Sequence, residues 1–473
     1  MTHPTGALDY DVAVIGGGSA GYAAARTAAD AGRRVAVLEG GAEVGGLCIL
    51  RGCMPTKALL YAAEVLHLCR QAGAWGLRVE DAGFHFGRVM ARKDALVQEF
   101  ADYRRQQLAD GRFEFLRAQA RFTDPHTLLL SDGRTLRASH FVIATGSVVA
   151  PAPLAALHAT GFLTSDDALS LKRLPRSLVV LGGGAVAVEL AQLFQRFDVK
   201  VTLVQRSAQV LKEFDPDAAE VVEKVFRREG MTVFTGTQLT GARRLGELKE
   251  VTFLHDGQSV SVTAEEILFA LGRMPNTAAL NLVAAGVATD GPRIVTDEQM
   301  RTTAPHIFAA GDCTGRHEIV HLAVQQGEIA AHNLTQPQSP RQFDSRLLTC
   351  VIFTDPQVAQ VGLTEKAAAA SGIPCLTARY PFSDHGKSLL MEAKDGFVKL
   401  LAQPATGEIL GGACVGPLGG ELIHEIVAAM HRRMTVRELA ALPHYHPTLA
   451  EIWTYPAEAL AAQVASPAEG KPA

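Results

Sequence analysis

The chain has 473 residues, of which 48% are hydrophobic and 20% charged, a composition typical of core-rich globular proteins with about three domains. Its net charge of −4 argues against a nucleic-acid partner, which calls for a basic surface. The sequence shows no apolar run of membrane-spanning length, no signal peptide and only seven scattered cysteines, so we expect a cytoplasmic protein without a membrane segment.

A glycine-rich turn follows the first predicted strand. Residues 10–15 predict a short buried strand, GGGSAG (residues 16–21) a turn, residues 23–31 a helix, and residues 35–38 a second strand ending in Glu39. Gly16, Gly18 and Gly21 would let the backbone approach a pyrophosphate at the helix N-terminus, and the acid can bind adenosine ribose hydroxyls. This segment therefore predicts a dinucleotide site.

Two cysteines five positions apart come next, in GGLCILRGCMPTK (residues 45–57). A disulfide between Cys48 and Cys53 requires the chain to fold back, and Gly52 is the residue expected to permit that turn. Pro55 suits the first turn of a helix, which places Cys53 at the helix N-terminus, where the macrodipole and Lys57 favour a thiolate. The pattern predicts a redox dithiol, with two unrelated structural cysteines as the alternative. No metal site is predicted, because further ligands at matching spacing are missing.

The remaining five cysteines are predicted to be small buried apolar residues: Cys69, Cys313, Cys350, Cys375 and Cys414.

The dinucleotide pattern returns later in the chain, as a strand at 177–181, the turn GGGAVA at 182–187, a helix at 188–197 and a strand at 200–204. Two such sites predict two nucleotides that exchange electrons. The second copy has Gln205 and Arg206 where the first has Glu39. A neutral side chain beside a guanidinium can accept a 2′-phosphate, so this site is predicted to favour NADPH. The alternative is that Arg206 is a solvated loop residue.

Weaker signals lie between and after the two copies. Strands predicted at 141–145, 266–271 and 307–310 end at Gly146, Gly272 and Asp312, and such an aspartate can bind a ribityl or ribose hydroxyl or can be a plain turn residue. After a linker at 336–342, strands at 351–353, 397–401 and 409–413 and a helix at 422–430 predict an α+β unit. Near its end, His446-Pro447 with Glu451 predicts an imidazole oriented by a carboxylate; a surface histidine near a helix cap is the alternative.

With the cysteine segment, both fingerprints and the His-Pro-Thr-x-x-Glu ending in this order, the chain resembles the FAD-dependent pyridine nucleotide–disulfide oxidoreductases. That family includes dihydrolipoamide dehydrogenase, glutathione reductase and mercuric reductase. The resemblance implies an α/β fold with two Rossmann-like dinucleotide-binding domains and a C-terminal α+β dimerisation domain. The bounds expected are 1–155 and 275–338 for FAD, 156–274 for NAD(P), and 343–473 for dimerisation.

The resemblance also implies a role for each matching residue. Cys53 would face the flavin as a charge-transfer thiolate, Cys48 would be the interchange thiol, and Lys57 would sit at the flavin edge paired with Glu189. His446 and Glu451 would be the acid–base pair, contributed by the partner subunit of a homodimer. FAD would be held by Gly16, Gly18, Gly21, Glu39, Gly46, Thr145, Gly146 and Asp312, and the nicotinamide nucleotide by Gly182, Gly184, Gln205, Arg206 and Gly272.

The motifs of this chain match different members of the family, which leaves the substrate open. His321 and the segment from His444 to Thr448 look like dihydrolipoamide dehydrogenase, whereas Gln205-Arg206 looks more like the NADPH-using glutathione and mercuric reductases. We therefore expect an NAD(P)H:disulfide oxidoreductase, most similar to dihydrolipoamide dehydrogenase, acting on a small-molecule or lipoyl disulfide. The alternatives are a mercuric-reductase-like or quinone-reducing flavoenzyme and, from another class, a non-catalytic flavoprotein redox sensor.

Overall fold

The computed structural model describes residues 8–464 and divides them into two compact units. The first unit joins the stretch that ends at Ala58 to Met90–Pro151 and Gly272–Phe343, and the second joins Leu59–Val89 to Ala152–Leu271 and the chain from Asp344 onward. The finer boundaries between FAD, NAD(P) and dimerisation domains stay a prediction. None of the described helices combines the length and apolar character that a membrane crossing requires.

The first unit is built on a seven-stranded sheet with a parallel centre. In spatial order its strands are Glu114–Leu116, Val35–Leu38, Tyr10–Ile15, Thr135–Ile143, Thr127–Leu130 and Ala120–Asp124, with Ile307–Ala309 also paired to Thr135–Ile143. Buried side chains such as Phe122, Phe141 and Leu136 form the core beside it. Because parallel strands end at one edge, the turns after Ile15, Ile143 and Ala309 share that edge, where nucleotides bind in such sheets.

Two long helices of the first unit, Ser19–Asp30 and Val320–Thr335, pack together closely. Their small residues permit this, since a Cβ on Gly327 would lie 2.3 Å from the carbonyl oxygen of Ala20. The other elements of this unit are the helix Gly46–Leu50 and the paired strands Ser147–Val149 with Arg273–Pro275 and Thr289–Asp290 with Arg293–Ile294. The helices Cys53–Gln71 and Phe86–Leu108 each contain residues of both units.

The second unit contains a four-stranded parallel sheet and a three-stranded antiparallel sheet. The parallel strands are, in spatial order, Thr232–Phe234, Lys200–Val204, Ser177–Leu181 and Glu266–Phe269; the antiparallel ones are Gln238–Leu245, Leu248–His255 and Gln258–Ala264. The helices of this part are Ala155–Thr160, Ser165–Ala168, Ala185–Arg196 and Pro216–Arg228. The parallel sheet repeats the pattern of the first unit, as the duplicated glycine-rich turn predicts.

The C-terminal part of the second unit is a five-stranded antiparallel sheet with helices against it. Its strands are, in spatial order, Thr349–Ile352, Gln357–Gly362, Ile409–Gly416, Phe397–Ala402 and Leu376–Pro381, and its helices are Glu365–Ala370, Gly386–Leu390, Gly419–His431, Val436–Ala440 and Thr454–Ala461. The fully buried indole of Trp453 anchors this core. The predicted α+β character is therefore confirmed.

Candidate active site

The first glycine-rich turn packs tightly against neighbouring backbone carbonyl groups. Gly16 has φ of 108°, and a Cβ there would lie 2.3 Å from the carbonyl oxygen of Ala144. A Cβ on Gly21 would lie 1.8 Å from the carbonyl oxygen of Gly16, so only glycine lets the helix start so close to the strand. Gly18, by contrast, has no neighbour closer than 3.8 Å to a built Cβ, which leaves a bare backbone at the helix N-terminus.

The acid at the end of the second strand belongs to the same turn. Glu39 accepts hydrogen bonds from the backbone N–H of Gly17 at 3.0 Å and of Gly41 at 2.7 Å. An open cavity of about 400 Å³ lies beside it, lined by Glu39, Gly40, Arg117, Ala118, Gln119 and Ser131. The carboxylate is thus held at the fingerprint with open space next to it, as a ribose-binding acid requires.

The strand ends nearby carry further polar groups. Thr145 has a buried hydroxyl oxygen without a hydrogen-bond partner among the described residues. Asp312 Oδ2 accepts a hydrogen bond from Ser147 Oγ at 2.7 Å, and Arg273 Nε donates to Ser147 Oγ at 2.9 Å. Ser147 and Arg273 carry no motif in the sequence; they meet because two three-residue strands pair. The bare turn, the acid and the orphan hydroxyl together fit a dinucleotide such as FAD.

The cysteine segment forms a tight turn between two helices, Gly46–Leu50 and Cys53–Gln71. Cys53 begins the second helix and Pro55 lies in its first turn, as predicted. Left-handed backbone occurs at Gly46 (φ 73°) and not at Gly52, so Gly52 does not permit the turn through a positive φ. Gly52 matters for space instead, because its Cβ would lie 3.0 Å from the carbonyl oxygen of Leu47.

This turn lies directly against the first fingerprint. A Cβ on Gly46 would come within 2.8 Å of the Cα of Gly18. Two glycines that face each other therefore bring the cysteine segment next to the helix N-terminus that is shaped for a pyrophosphate. The structure brings together what the sequence predicts as a redox pair and a nucleotide site.

Cys48 and Cys53 are both half-buried. A hydrogen bond between their side chains, together with burial, raises the pKa of Cys48 well above that of an ordinary thiol, while the charge of Lys57 acts in the opposite direction. Cys313 and Cys414 are buried as expected, but Cys350 and Cys375 are only partly buried and Cys69 is exposed, so the prediction was wrong for Cys69 and only partly met for the other two.

The second fingerprint repeats the geometry of the first. Gly182 has φ of 118°, with a built Cβ 2.3 Å from the carbonyl oxygen of Ala270, while a Cβ on Gly184 would meet nothing within 4 Å. Gln205 occupies the place of Glu39: it packs on Gly183 and accepts the backbone N–H of Arg206 at 3.1 Å. Arg206 itself is exposed. Gly272 follows the neighbouring strand with φ of 119°.

Glu189 lies on the helix that follows this turn. It is buried, and its Oε1 accepts a hydrogen bond from the backbone N–H of Phe353 at 2.9 Å. The predicted pairing of Glu189 with Lys57 stays a prediction.

The C-terminal histidine and glutamate are paired. His446 Nδ1 lies 3.0 Å from Glu451 Oε2 and 3.2 Å from Oε1, which confirms the predicted orientation of the imidazole by a carboxylate. The His446 side chain is 78% exposed and that of Glu451 only 10%, so the free edge of the ring faces solvent. His444 forms a separate pair with Glu425 at 2.7 Å.

A second imidazole, that of His385, approaches Glu451. His385 is fully buried, and its Nε2 lies 3.4 Å from Glu451 Oε1. No local pattern announces it, since the two residues are far apart in sequence and meet only through the fold.

The chain is similar to known proteins along most of its length. The family model described as pyridine nucleotide-disulphide oxidoreductase matches residues 10–327, and that of the family's dimerisation domain matches residues 348–457. The dihydrolipoyl dehydrogenase of Geobacillus stearothermophilus is 32% identical over 450 residues, which cover 94% of this chain and 95% of that protein. The mercuric reductase of Lysinibacillus sphaericus is 33% identical, covering 94% of this chain and 81% of that protein.

Solved structures give the same result. The Cu(II) complex of the HOCl-induced flavoprotein disulfide reductase RclA from Escherichia coli superposes with a TM-score of 0.85 at 27% identity, covering 96% of this chain and all of that one. LpdA from Mycobacterium tuberculosis superposes with a TM-score of 0.85 at 28% identity, covering 95% of this chain and 99% of that one. The chain therefore belongs to the pyridine nucleotide–disulphide oxidoreductases, and it is an FAD- and NAD(P)H-dependent disulfide oxidoreductase with the dimerisation domain of that family.

Proposed function

We propose that the Cys48–Cys53 pair is the redox disulfide of this enzyme and that it exchanges electrons with a small-molecule or lipoyl dithiol/disulfide substrate, most like that of dihydrolipoamide dehydrogenase. The observation that carries the proposal is the contact between the cysteine turn and the first fingerprint, at Gly46 and Gly18. Two cysteines far from the nucleotide site could not act as the redox disulfide, because electrons must pass from the cofactor to the sulfur pair.

The first fingerprint, with Glu39, Thr145 and Asp312, is the proposed FAD site, and the second, with Gln205 and Arg206, the proposed NAD(P)H site. FAD, when bound, supplies a two-electron carrier between nicotinamide and disulfide. In the first site the open backbone at Gly18 suits a pyrophosphate and Glu39 suits a ribose. In the second, the exposed guanidinium of Arg206 beside the neutral Gln205 favours NADPH over NADH.

The reduced cysteine pair would reduce a substrate disulfide by two thiol exchanges. Cys48 first passes its proton to the His446 imidazole and attacks one substrate sulfur as a thiolate, which forms a mixed disulfide; the other substrate sulfur leaves as a thiolate and takes that proton back from His446. The Cys53 thiolate then attacks the sulfur of Cys48, which restores the Cys48–Cys53 disulfide and releases the second substrate sulfur as a thiolate that is protonated by solvent. The same steps in reverse would oxidise a dithiol.

His446 and Glu451 are the proposed acid–base pair, and we assign their action to the partner subunit's cysteines in a homodimer. The exposed ring edge of His446 supports this, because a proton donor for an incoming substrate must face outward. General acid–base help of this kind is worth about 10²–10⁴-fold, so His446→Gln should lower kcat by that factor.

The test of the redox pair compares two cysteine variants with a control. Cys48→Ser should abolish disulfide turnover but show the long-wavelength thiolate–flavin absorbance before NADPH is added, because Cys53 can no longer form the disulfide. Cys53→Ser should lack both. Cys69→Ser, which alters an exposed thiol outside the proposed site, should behave like the wild type in both measurements. Disulfide turnover that survives Cys48→Ser would refute the assignment.

A substrate panel settles which disulfide is used. Lipoamide, glutathione disulfide and other low-molecular-weight disulfides should be tested against both NADH and NADPH, and the highest kcat/KM identifies the pair.

A second candidate is the reduction of a soft metal ion at the same cysteines. It is favoured by a relative named mercuric reductase and by a structural neighbour solved as a Cu(II) complex. Hg(II) and Cu(II) belong in the panel for that reason. NADPH oxidation driven by a metal ion, absent in Cys48→Ser and exceeding that with every disulfide, would favour this reading.

A further inference from the structure

Glu451 lies between two imidazoles rather than beside one. His446 Nδ1 is 3.0 Å from one carboxylate oxygen, and His385 Nε2 is 3.4 Å from the other. His446 is largely exposed, whereas His385 is fully buried. Apart from this 3.4 Å contact, His385 Nε2 has no hydrogen-bond partner among the described residues, so the carboxylate is the acceptor it faces.

The ring of His385 is fixed on its other side. Its Nδ1 lies 2.8 Å from the hydroxyl oxygen of the buried Ser388. The rings of Phe382 and Tyr455 stand edge-on to it, each with a centroid distance of 6.4 Å. The ring therefore has one orientation, with Nε2 pointing to Glu451.

The partners decide where the proton of His385 sits. A carboxylate only accepts hydrogen bonds, whereas a serine hydroxyl can donate, so both contacts are satisfied when Nε2 carries the hydrogen and Ser388 donates to Nδ1. Burial lowers the pKa of His385, against the attraction of Glu451, and this keeps the ring neutral.

The other titratable groups around this ring are few in the described part of the chain. His446 reaches it across Glu451, and Tyr455 stacks on Tyr380, whose hydroxyl bonds to Asp384. The dominant charge that faces His385 is thus the carboxylate of Glu451.

We infer that His385 is a positioning residue for the acid–base pair: its Nε2–H holds the Glu451 carboxylate and limits how strongly that carboxylate stabilises the His446 imidazolium. This inference rests on the proposed role of His446. A second donor takes up part of the negative charge of Glu451, and its positive end lies near the His446 ring. Both effects make the imidazolium less favourable, so His446 gives up its proton more readily than it would in a two-residue pair.

The experiment is the pH dependence of kcat/KM for the best disulfide or dithiol, measured on the FAD-loaded enzyme. His385→Leu removes the donor and keeps an apolar volume. It should shift the ionisation assigned to His446 upward by about 0.5–1 pH unit and, with a dithiol substrate, whose proton His446 must accept, lower kcat/KM at neutral pH several-fold. His385→Gln places an amide donor near the former Nε2 and should return the profile to within a few tenths of a unit. If the leucine variant does not fold, His385→Asn, whose amide is too short to reach Glu451, replaces it.

Two further variants make the result interpretable. His444→Leu removes the other histidine–glutamate pair of the same loop, which does not involve Glu451, and should leave the profile at the wild-type pH. His446→Gln should remove the ionisation altogether; if it does not, the proposed acid–base role fails, whatever His385 does. If His446→Gln removes the ionisation but His385→Leu does not shift it, or Leu and Gln shift it equally, then the positioning role is refuted.

Discussion

Gly18 and Gly21 of the first fingerprint should differ in function: one should matter for FAD binding and the other for stability. Gly21→Ala places a methyl group 1.8 Å from the carbonyl oxygen of Gly16, whereas ordinary contacts begin near 3.4 Å, so strand and helix must move apart. Overpacking of this type costs about 1–3 kcal/mol or more. Gly18→Ala meets no atom within 3.7 Å and has an extended backbone that any residue adopts, so the free protein should tolerate it.

The order of effects reverses for FAD. If the pyrophosphate lies against the bare backbone at Gly18, a methyl group there should weaken FAD binding by about 1–3 kcal/mol, or roughly 5- to 150-fold in Kd. Gly18→Ala is then a binding variant with little loss of stability, and Gly21→Ala a stability variant that loses FAD as a consequence.

Thermal melting of the apo-protein and a flavin fluorescence titration measure the two quantities. Gly21→Ala should lower the apo melting temperature by about 5 °C or more, and Gly18→Ala by less than about 2 °C. Gly257→Ala serves as control for backbone strain, because Gly257 has a positive φ and its Cβ would meet nothing within 4 Å. FAD affinity unchanged in Gly18→Ala would refute the placement of the pyrophosphate at this turn.

Further predictions concern the nucleotide preference and a buried cation. Gln205→Glu should lower kcat/KM for NADPH relative to NADH by about tenfold or more, because a carboxylate repels the 2′-phosphate; an unchanged ratio would contradict the NADPH assignment. Lys399→Met should lower the melting temperature. The Lys399 side chain is only 2% exposed and forms ion pairs with Asp215 at 2.9 Å and Asp217 at 3.0 Å. Removing one partner of such a buried ion pair costs about 3–5 kcal/mol. Burial would raise the pKa of Asp215, but hydrogen bonds from Lys399 and from the Lys366 backbone lower this pKa overall. The ionised Asp215 therefore stabilises the fold at neutral pH, and this stabilisation is lost as the pH falls through the lowered pKa of Asp215. Acid titration of the melting temperature should therefore be flatter in Lys399→Met than in the wild type.

Local sequence patterns predict the parts of this protein that depend on neighbouring residues. Both strand–turn–helix segments lie where glycine spacing and apolar runs place them, because a turn that needs glycines and a buried strand are specified within about thirty residues. The start of the cysteine helix follows in the same way from Pro55. The His446–Glu451 pair is also local, five residues apart.

Local sequence patterns do not predict contacts between residues that are far apart in the chain. Ser147 and Arg273 meet Asp312 only because two short strands pair at the end of the sheet. His385 reaches Glu451 through the packing of the C-terminal sheet and its helices. The exposure of Cys69 shows the converse: a residue type that is usually buried lies on the outer side of an amphipathic helix, and the helical phase, not the residue type, decides its exposure.

The proposed division of the catalytic groups between two subunits has a consequence that a single-chain site would not show. Cys48→Ser and His446→Gln should each be nearly inactive as homodimers. After the two are mixed, dissociated and reassociated, about half of the dimers should be hybrids. One site of each hybrid has both defects, while the other joins an intact cysteine pair to an intact histidine. The mixture should therefore recover about a quarter of the wild-type activity. If His446 instead served the cysteines of its own chain, every site in the hybrid would carry one defect, and mixing would restore nothing.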